Sequence, residues 1–147
     1  MRNRSNRRVG LVVAVVATMA LALPAFAGGR PLHAELSSAN EVAPVAGDPG
    51  TMGTVHVTLN QGQGEVCFHV EVEGNNAPIV AAHIHAGDAA TNGPVVVDFR
   101  WAETGGHGCS PASAELIKDI RQNPWNYYIN VHNSISPPGA ARGQLSK

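Results

Sequence analysis

Period-two alternation of apolar and polar residues constrains this chain more than any other feature. In Thr54-Val55-His56-Val57-Thr58-Leu59 the residues Val55, Val57 and Leu59 share one face. From Glu65 to Glu73 the pattern resumes, with Val66, Phe68, Val70 and Val72 on one side and Cys67, His69, Glu71 and Glu73 on the other. Successive side chains of a strand point to opposite faces, so each run is a half-buried strand whose apolar set faces a core. Asn60 to Gly64 between them, Gly74-Asn75-Asn76-Ala77-Pro78 after them and Asn92-Gly93 further on are turn chemistry. Ile79 to His85, Val95 to Val97, Tyr127 to His132 and Ala140 to Leu145 read as further strands. One segment departs from the pattern: Ser110-Pro111 opens a short helix through Ala114, Leu116, Ile117 and Ile120, and Pro124 stops it. The expected fold is therefore all-β, with six or seven strands in an antiparallel Greek-key β-sandwich or flattened barrel and one short crossover helix. Gly28 to Arg30 is expected to be a short lead, and Asn40 to Gly53 an exposed loop.

The first 27 residues have a different character. Arg2, Arg4, Arg7 and Arg8 precede an uncharged run from Val9 to Leu23, and Pro24-Ala25-Phe26-Ala27 follows. A basic start, an apolar middle and an Ala-x-Ala site form a secretory signal peptide, and the apolar run is shorter than the roughly 20 residues of a spanning helix. Residues 1–27 are thus read as a cleaved leader in a bacterial style, and residues 28–147 as one β domain with no membrane span after cleavage. The Arg7-Arg8 pair has poor surroundings for twin-arginine export, so general secretion is the expected route, to a periplasm, a cell envelope or the medium. Four of the ten basic residues leave with that leader and none of the eleven acidic ones, which gives six against eleven and a net charge of −5. Such a chain, with no Lys/Arg cluster, lacks the footprint of a nucleic-acid binder and of an anionic-lipid binder.

Cys67 and Cys109 are the two cysteines. In an oxidising compartment a lone pair forms a disulfide; the rival arrangement is a thiolate metal site with His107. No Gly-x-Ser-x-Gly elbow or phosphate loop is present, and bonded cysteines supply no thiol nucleophile, so a conventional enzyme is not expected.

Histidine is the unusual concentration, with seven in the chain. His83 and His85, two apart on a strand, face the same way with Cα atoms roughly 6.5–7 Å apart, from which two imidazoles can converge on one ion. His132 on another strand completes a candidate three-nitrogen metal site for copper or zinc, copper binding the tighter. The competing reading has the three rings bonded to loop carbonyls and organising one end of the sheet. Arg142 and Asn130 are candidates for the same polar cluster, where an Arg favours an anionic ligand or a carboxylate such as Asp98. His33, His56, His69 and His107 are expected to be solvated, each on a polar face or in a loop.

A family resemblance rests on Leu36-Ser37-Ser38-Ala39-Asn40-Glu41-Val42, Ala82-His83-Ile84-His85-Ala86-Gly87, Asn92-Gly93-Pro94-Val95-Val96, Tyr128-Ile129-Asn130-Val131-His132 and Arg142-Gly143-Gln144. In order and spacing these resemble the CHRD domain, the module named after chordin, and they span nearly the whole of residues 28–147. Ala140-Ala141 departs from the acidic or glycine-containing stretch of many members. In chordin-like animal proteins the domain belongs to extracellular antagonists of growth-factor signalling, a role that does not carry over to a lone domain. The resemblance implies a single-domain binding or structural module with an unidentified extracellular or cell-envelope ligand; the alternative is a copper- or zinc-binding redox protein. The expected fold and the His-x-His strand are also similar to copper–zinc superoxide dismutase, an analogy of fold and dipeptide only.

Overall fold

A computed structural model describes residues 29–147; the leader expected at residues 1–27 lies outside the described residues. Eight antiparallel strands form one sheet. They are β1 (Arg30–Ser37), β2 (Met52–Asn60), β3 (Glu65–Glu73), β4 (Ile79–Ala86), β5 (Val95–Asp98), β6 (His107–Pro111), β7 (Tyr127–Asn133) and β8 (Ala141–Gln144). Their order across the sheet is β5-β4-β7-β8-β1-β2-β3-β6. The sheet curls until its edge strands β5 and β6 come close, giving a nearly closed, flattened barrel.

The seam between those edges is held by side chains rather than by a ladder. A single helical turn, α1 (Trp101–Thr104), bridges it. Phe99 beside that turn stacks on Phe68 of β3 with ring centroids 3.9 Å apart. The Arg100 guanidinium beside it donates across the seam to the Cys109 carbonyl of β6 at 3.0 Å. An edge that would otherwise offer unpaired backbone groups is thereby covered.

Alternation sets the core as expected: Val55, Val57 and Leu59 of β2 are buried, as are Val66, Phe68 and Val70 of β3. Val72, also expected inside, is only half-buried because it stands at the end of its strand, beyond the covered part of the barrel. Eight strands rather than six or seven form, since β1 and β6 join the sheet. In β1 the inward set is Leu32, Ala34 and Leu36. Ser110-Pro111 does not open the helix but ends β6, whose Cys109 faces Cys67 directly. The helix, α2 (Ala114–Gln122), is capped by Ser113, whose Oγ accepts from the Leu116 N–H at 3.2 Å, and Ile117 and Ile120 are buried under it.

Cys67 and Cys109 are bonded, with Cα atoms 3.9 Å apart. No free cysteine exists among the described residues, which removes the thiolate metal site. The loop through Asn40 to Gly53 is not freely exposed. Asp48 within it is 1% exposed and accepts from the Asn76 N–H at 2.8 Å and the Asn133 Nδ2 at 2.7 Å, so the loop is pinned onto the sheet.

Candidate functional site

Strand β7 is buried along its full length, which a half-solvated strand would not be. Ile129 and Val131 face the core, while Tyr128, Asn130 and His132 point the other way and are covered by loops. Strand β4 pairs with β7 so that Ala81 meets His132, His83 meets Asn130 and His85 meets Tyr128. The outer faces of two adjacent strands thus bring together the three histidines read from the sequence. One ring nitrogen from each lies within 4.8 Å of one from each of the others.

The tautomers follow from the hydrogen bonds. His85 Nδ1 donates to the Gly93 carbonyl at 2.9 Å, and His132 Nδ1 donates to the Pro137 carbonyl at 2.9 Å. A neutral imidazole has one N–H, so both rings carry a bare lone pair on Nε2. His132 Nε2 lies 3.1 Å from His83 Nδ1, and His83 Nε2 lies 3.7 Å from Asp98 Oδ1. His85 Nε2 is buried without any partner. Burial keeps all three rings neutral at ordinary pH: His132 is pushed down to about 4, and His83 and His85 are also lowered, the Asp98 carboxylate partly opposing the effect at His83. Neutral imidazoles with free lone pairs are the form in which histidine ligates a metal.

Arg142 and Asn130 do join this region, but Arg142 has a different task from the one expected. Its guanidinium is 1% exposed and donates to the carbonyls of Asp88 at 3.0 Å and Thr91 at 3.2 Å and to Asn92 Oδ1 at 3.3 Å. Its carbon sits 3.5 Å from the centroid of the Tyr128 ring, whose other neighbour is the stacked His85 ring at 4.8 Å. Tyr128 Oη in turn accepts from the Gly93 N–H at 3.1 Å. Arg142 therefore fastens the 87–94 loop that presents the carbonyl partner of His85. It is spent on backbone oxygens and a ring face, not on an anion or on Asp98.

Glu41, which the sequence left without a role, borders the same region. Burial pushes its carboxyl up to about 7 despite the nearby Arg142 charge, and Asn130 Nδ2 donates to its Oε2 at 3.4 Å. Its other oxygen and Asn130 Oδ1 are buried without partners. The one sequence signal for this group was alternation on β7, which puts Tyr128, Asn130 and His132 on one face.

Of the histidines expected to be solvated, His33, His56, His69 and His107 are indeed exposed. His69 and His107 are also paired, with Nδ1 atoms 2.8 Å apart. Among the described residues no helix is long and apolar enough to cross a membrane.

A family model described as the CHRD domain matches residues 32–145, which includes every residue of the histidine cluster. Neither the curated proteins nor the solved structures yield a match.

Proposed function

The chain belongs to the CHRD domain family, and from that premise we propose that it is an exported binding module holding one copper or zinc ion on His83, His85 and His132. The observation that carries this reading is His85 Nε2, a buried lone pair with no partner, on a ring whose Nδ1–H is already fixed by a carbonyl. A buried polar atom left unpaired costs about 1–3 kcal/mol, a cost that a bound ion removes. Carbonyl-bonded imidazoles are also the usual support for metal-ligating histidines, because the outer bond sets the tautomer and the ring direction.

The donor set suits the ions. Three nitrogens on bonds of 2.0–2.1 Å in a tetrahedral arrangement lie roughly 3.3–3.4 Å apart. The nitrogens here lie within 4.8 Å of one another, His83 Nδ1 and His132 Nε2 at 3.1 Å, and ion binding would move the His83 proton from Nδ1 to Nε2, on the Asp98 side, freeing Nδ1 as a ligand. His83, the most exposed of the three rings, leaves one side accessible and Asp98 beside it. An ion bound there would supply a Lewis-acidic centre with an open position. Copper is the tighter binder by the divalent affinity order, and imidazole accepts both metals.

Export rests on the leader-like residues 1–27 and agrees with a bonded cysteine pair, which persists in oxidising compartments. Residues 28–147 are then the working domain. N-terminal sequencing of protein recovered outside the cytoplasm should begin at Gly28, and an intact amino terminus would remove the leader. Titration with Cu2+ and with Zn2+, in a chain carrying His69→Gln and His107→Gln to silence the exposed pair, should show one saturable equivalent lost in a His83→Ala, His132→Ala variant. Equal binding by that variant, or none by the parent, overturns the proposal.

The hydrogen bond between His83 and His132 supports a second reading, in which the rings satisfy each other and brace the sheet without an ion. Under it the same double variant loses thermal stability and changes no metal affinity.

A further inference from the structure

Four histidines outside the β4–β7 cluster stand in one row. The strand register pairs His33 with His56, His56 with His69 and His69 with His107, so the row crosses β1, β2, β3 and β6 without a gap. All four lie on the outer face and are exposed. Side chains directly opposite across antiparallel strands have Cβ atoms about 4.5–5.5 Å apart, a distance from which neighbouring imidazoles can reach a common ion.

The last pair already shows the needed convergence. His69 Nδ1 and His107 Nδ1 are 2.8 Å apart, and two lone pairs cannot face each other at that distance unless a proton lies between them. Glu71 Oε1, 3.2 Å from His69 Nε2, takes the N–H on that side. His69 Nδ1 is then the bare acceptor and His107 Nδ1–H the donor. Two nitrogens on bonds of 2.0–2.1 Å at a right angle to each other lie about 2.9 Å apart, so the pair is already spaced for an ion in place of the shared proton. On binding, His107 keeps its one proton on Nε2, a net transfer through solvent, and both Nδ1 lone pairs become ligands. Glu71 on the far side of His69 is the carboxylate support that orients and strengthens a ligating imidazole.

The surroundings favour a cation. The next row on the same face is Glu35, Thr54 and Glu71, and with Glu73 it borders a depression of about 430 Å³. Carboxylates on one flank raise the local concentration of positive ions. On the other flank the row contains the Cys67–Cys109 bond, which ties edge strand β6 to β3 two residues from the pair. The covalent link keeps the two imidazoles together although β6 is an edge strand.

The geometry points to a second, exposed metal site: His69 and His107 capture a divalent copper or zinc ion at the surface through their Nδ1 atoms, with Glu71 supporting His69. It is independent of the buried cluster. Titration with Cu2+ in a His83→Ala, His132→Ala background should show a saturable equivalent with nitrogen coupling in its electron paramagnetic resonance spectrum. Adding His69→Gln and His107→Gln should abolish it, and Glu71→Gln alone should weaken it about tenfold. Should that background fail to fold, His69→Gln, His107→Gln in the otherwise native chain should lower the copper bound at saturation by one equivalent. Unchanged stoichiometry and affinity after loss of His69 and His107 would overturn the site, whatever the buried cluster does.

Discussion

The same side chain does two different things in two parts of one sheet. On β4 and β7 the three imidazoles are covered by loops, fixed in tautomer by backbone carbonyls and held neutral by burial. On β1, β2, β3 and β6 the other four are exposed and set in one row by register, with side-chain bonds joining His69 to His107 and His33 to Ser146. The first arrangement is preorganised: its donors have lost their freedom before any ligand arrives, and one lone pair is left unpaired as a consequence. The second gains its density from strand pairing and leaves its rings exposed to solvent, so an ion there orders more side-chain freedom on binding than one at the buried cluster. A preorganised buried site is tight and a ladder of exposed rings is weaker, and both are built from the same period-two spacing.

Removing the disulfide tests whether the two regions are energetically separate. Cys67→Ala with Cys109→Ala opens a loop of 42 residues and should lower stability by about 4 kcal/mol in chemical denaturation. It should loosen the His69–His107 pair and leave Cu2+ affinity at His83, His85 and His132 unchanged. Loss of both sites at mild temperature would show that the sheet behaves as one unit.

The converse change is Arg142→Lys, which keeps the charge but not the planar fork. A lysine cannot reach the carbonyls of Asp88 and Thr91 together while stacking on Tyr128. The expected cost is roughly 3 kcal/mol, from carbonyls left buried and unpaired. Metal affinity should fall at the buried cluster and stay constant at the exposed pair. An affinity loss confined to the exposed pair would reverse the roles given to the two regions.

Acid should separate them next. The unfolded chain protonates histidine near 6.5, whereas His132 in the folded protein stays neutral to about 4. Its contribution to stability is therefore whole above about 6.5 and is lost as the pH falls towards 4, roughly 2–3 kcal/mol across that window. Glu41 acts in the opposite sense. Its folded carboxyl keeps a proton up to about 7 while the unfolded one releases it near 4.5, so its contribution is whole below 4.5 and lost as the pH rises through 7. The two offset each other between about 4.5 and 6.5. His83 and His85, lowered as well, add to the His132 side, so urea midpoints in the presence of chelator should rise with pH there in the parent protein and rise more steeply in Glu41→Gln. Parallel profiles for the two proteins would remove this account.

The smallest effect belongs to the ladder. His56→Gln should change stability by no more than about 0.5 kcal/mol, as for an exposed position without a side-chain partner. A larger loss in thermal unfolding would show that the row braces the sheet.

By itself the sequence determined the all-β class, the inward set of β2 and most of that of β3, and the shared face of His83 and His85, because a period of two fixes side-chain direction without knowledge of any partner strand. It also offered the cysteine pair, the chain having no other cysteine, and left the thiolate site with His107 for the fold to remove. The pairing of strands decided the rest. His33, His56, His69 and His107 lie on four segments far apart in the chain, and no local pattern says that they share a row; that follows from register, which is a long-range property. His85 Nε2 lost its partner, Val72 its cover and Arg142 its solvent because of where loops from elsewhere in the chain settle. β7 hides its alternation for the same reason: with both faces covered, Asn130 and His132 are buried along with Ile129, and only the tertiary fold distinguishes a polar side chain facing water from one facing a site.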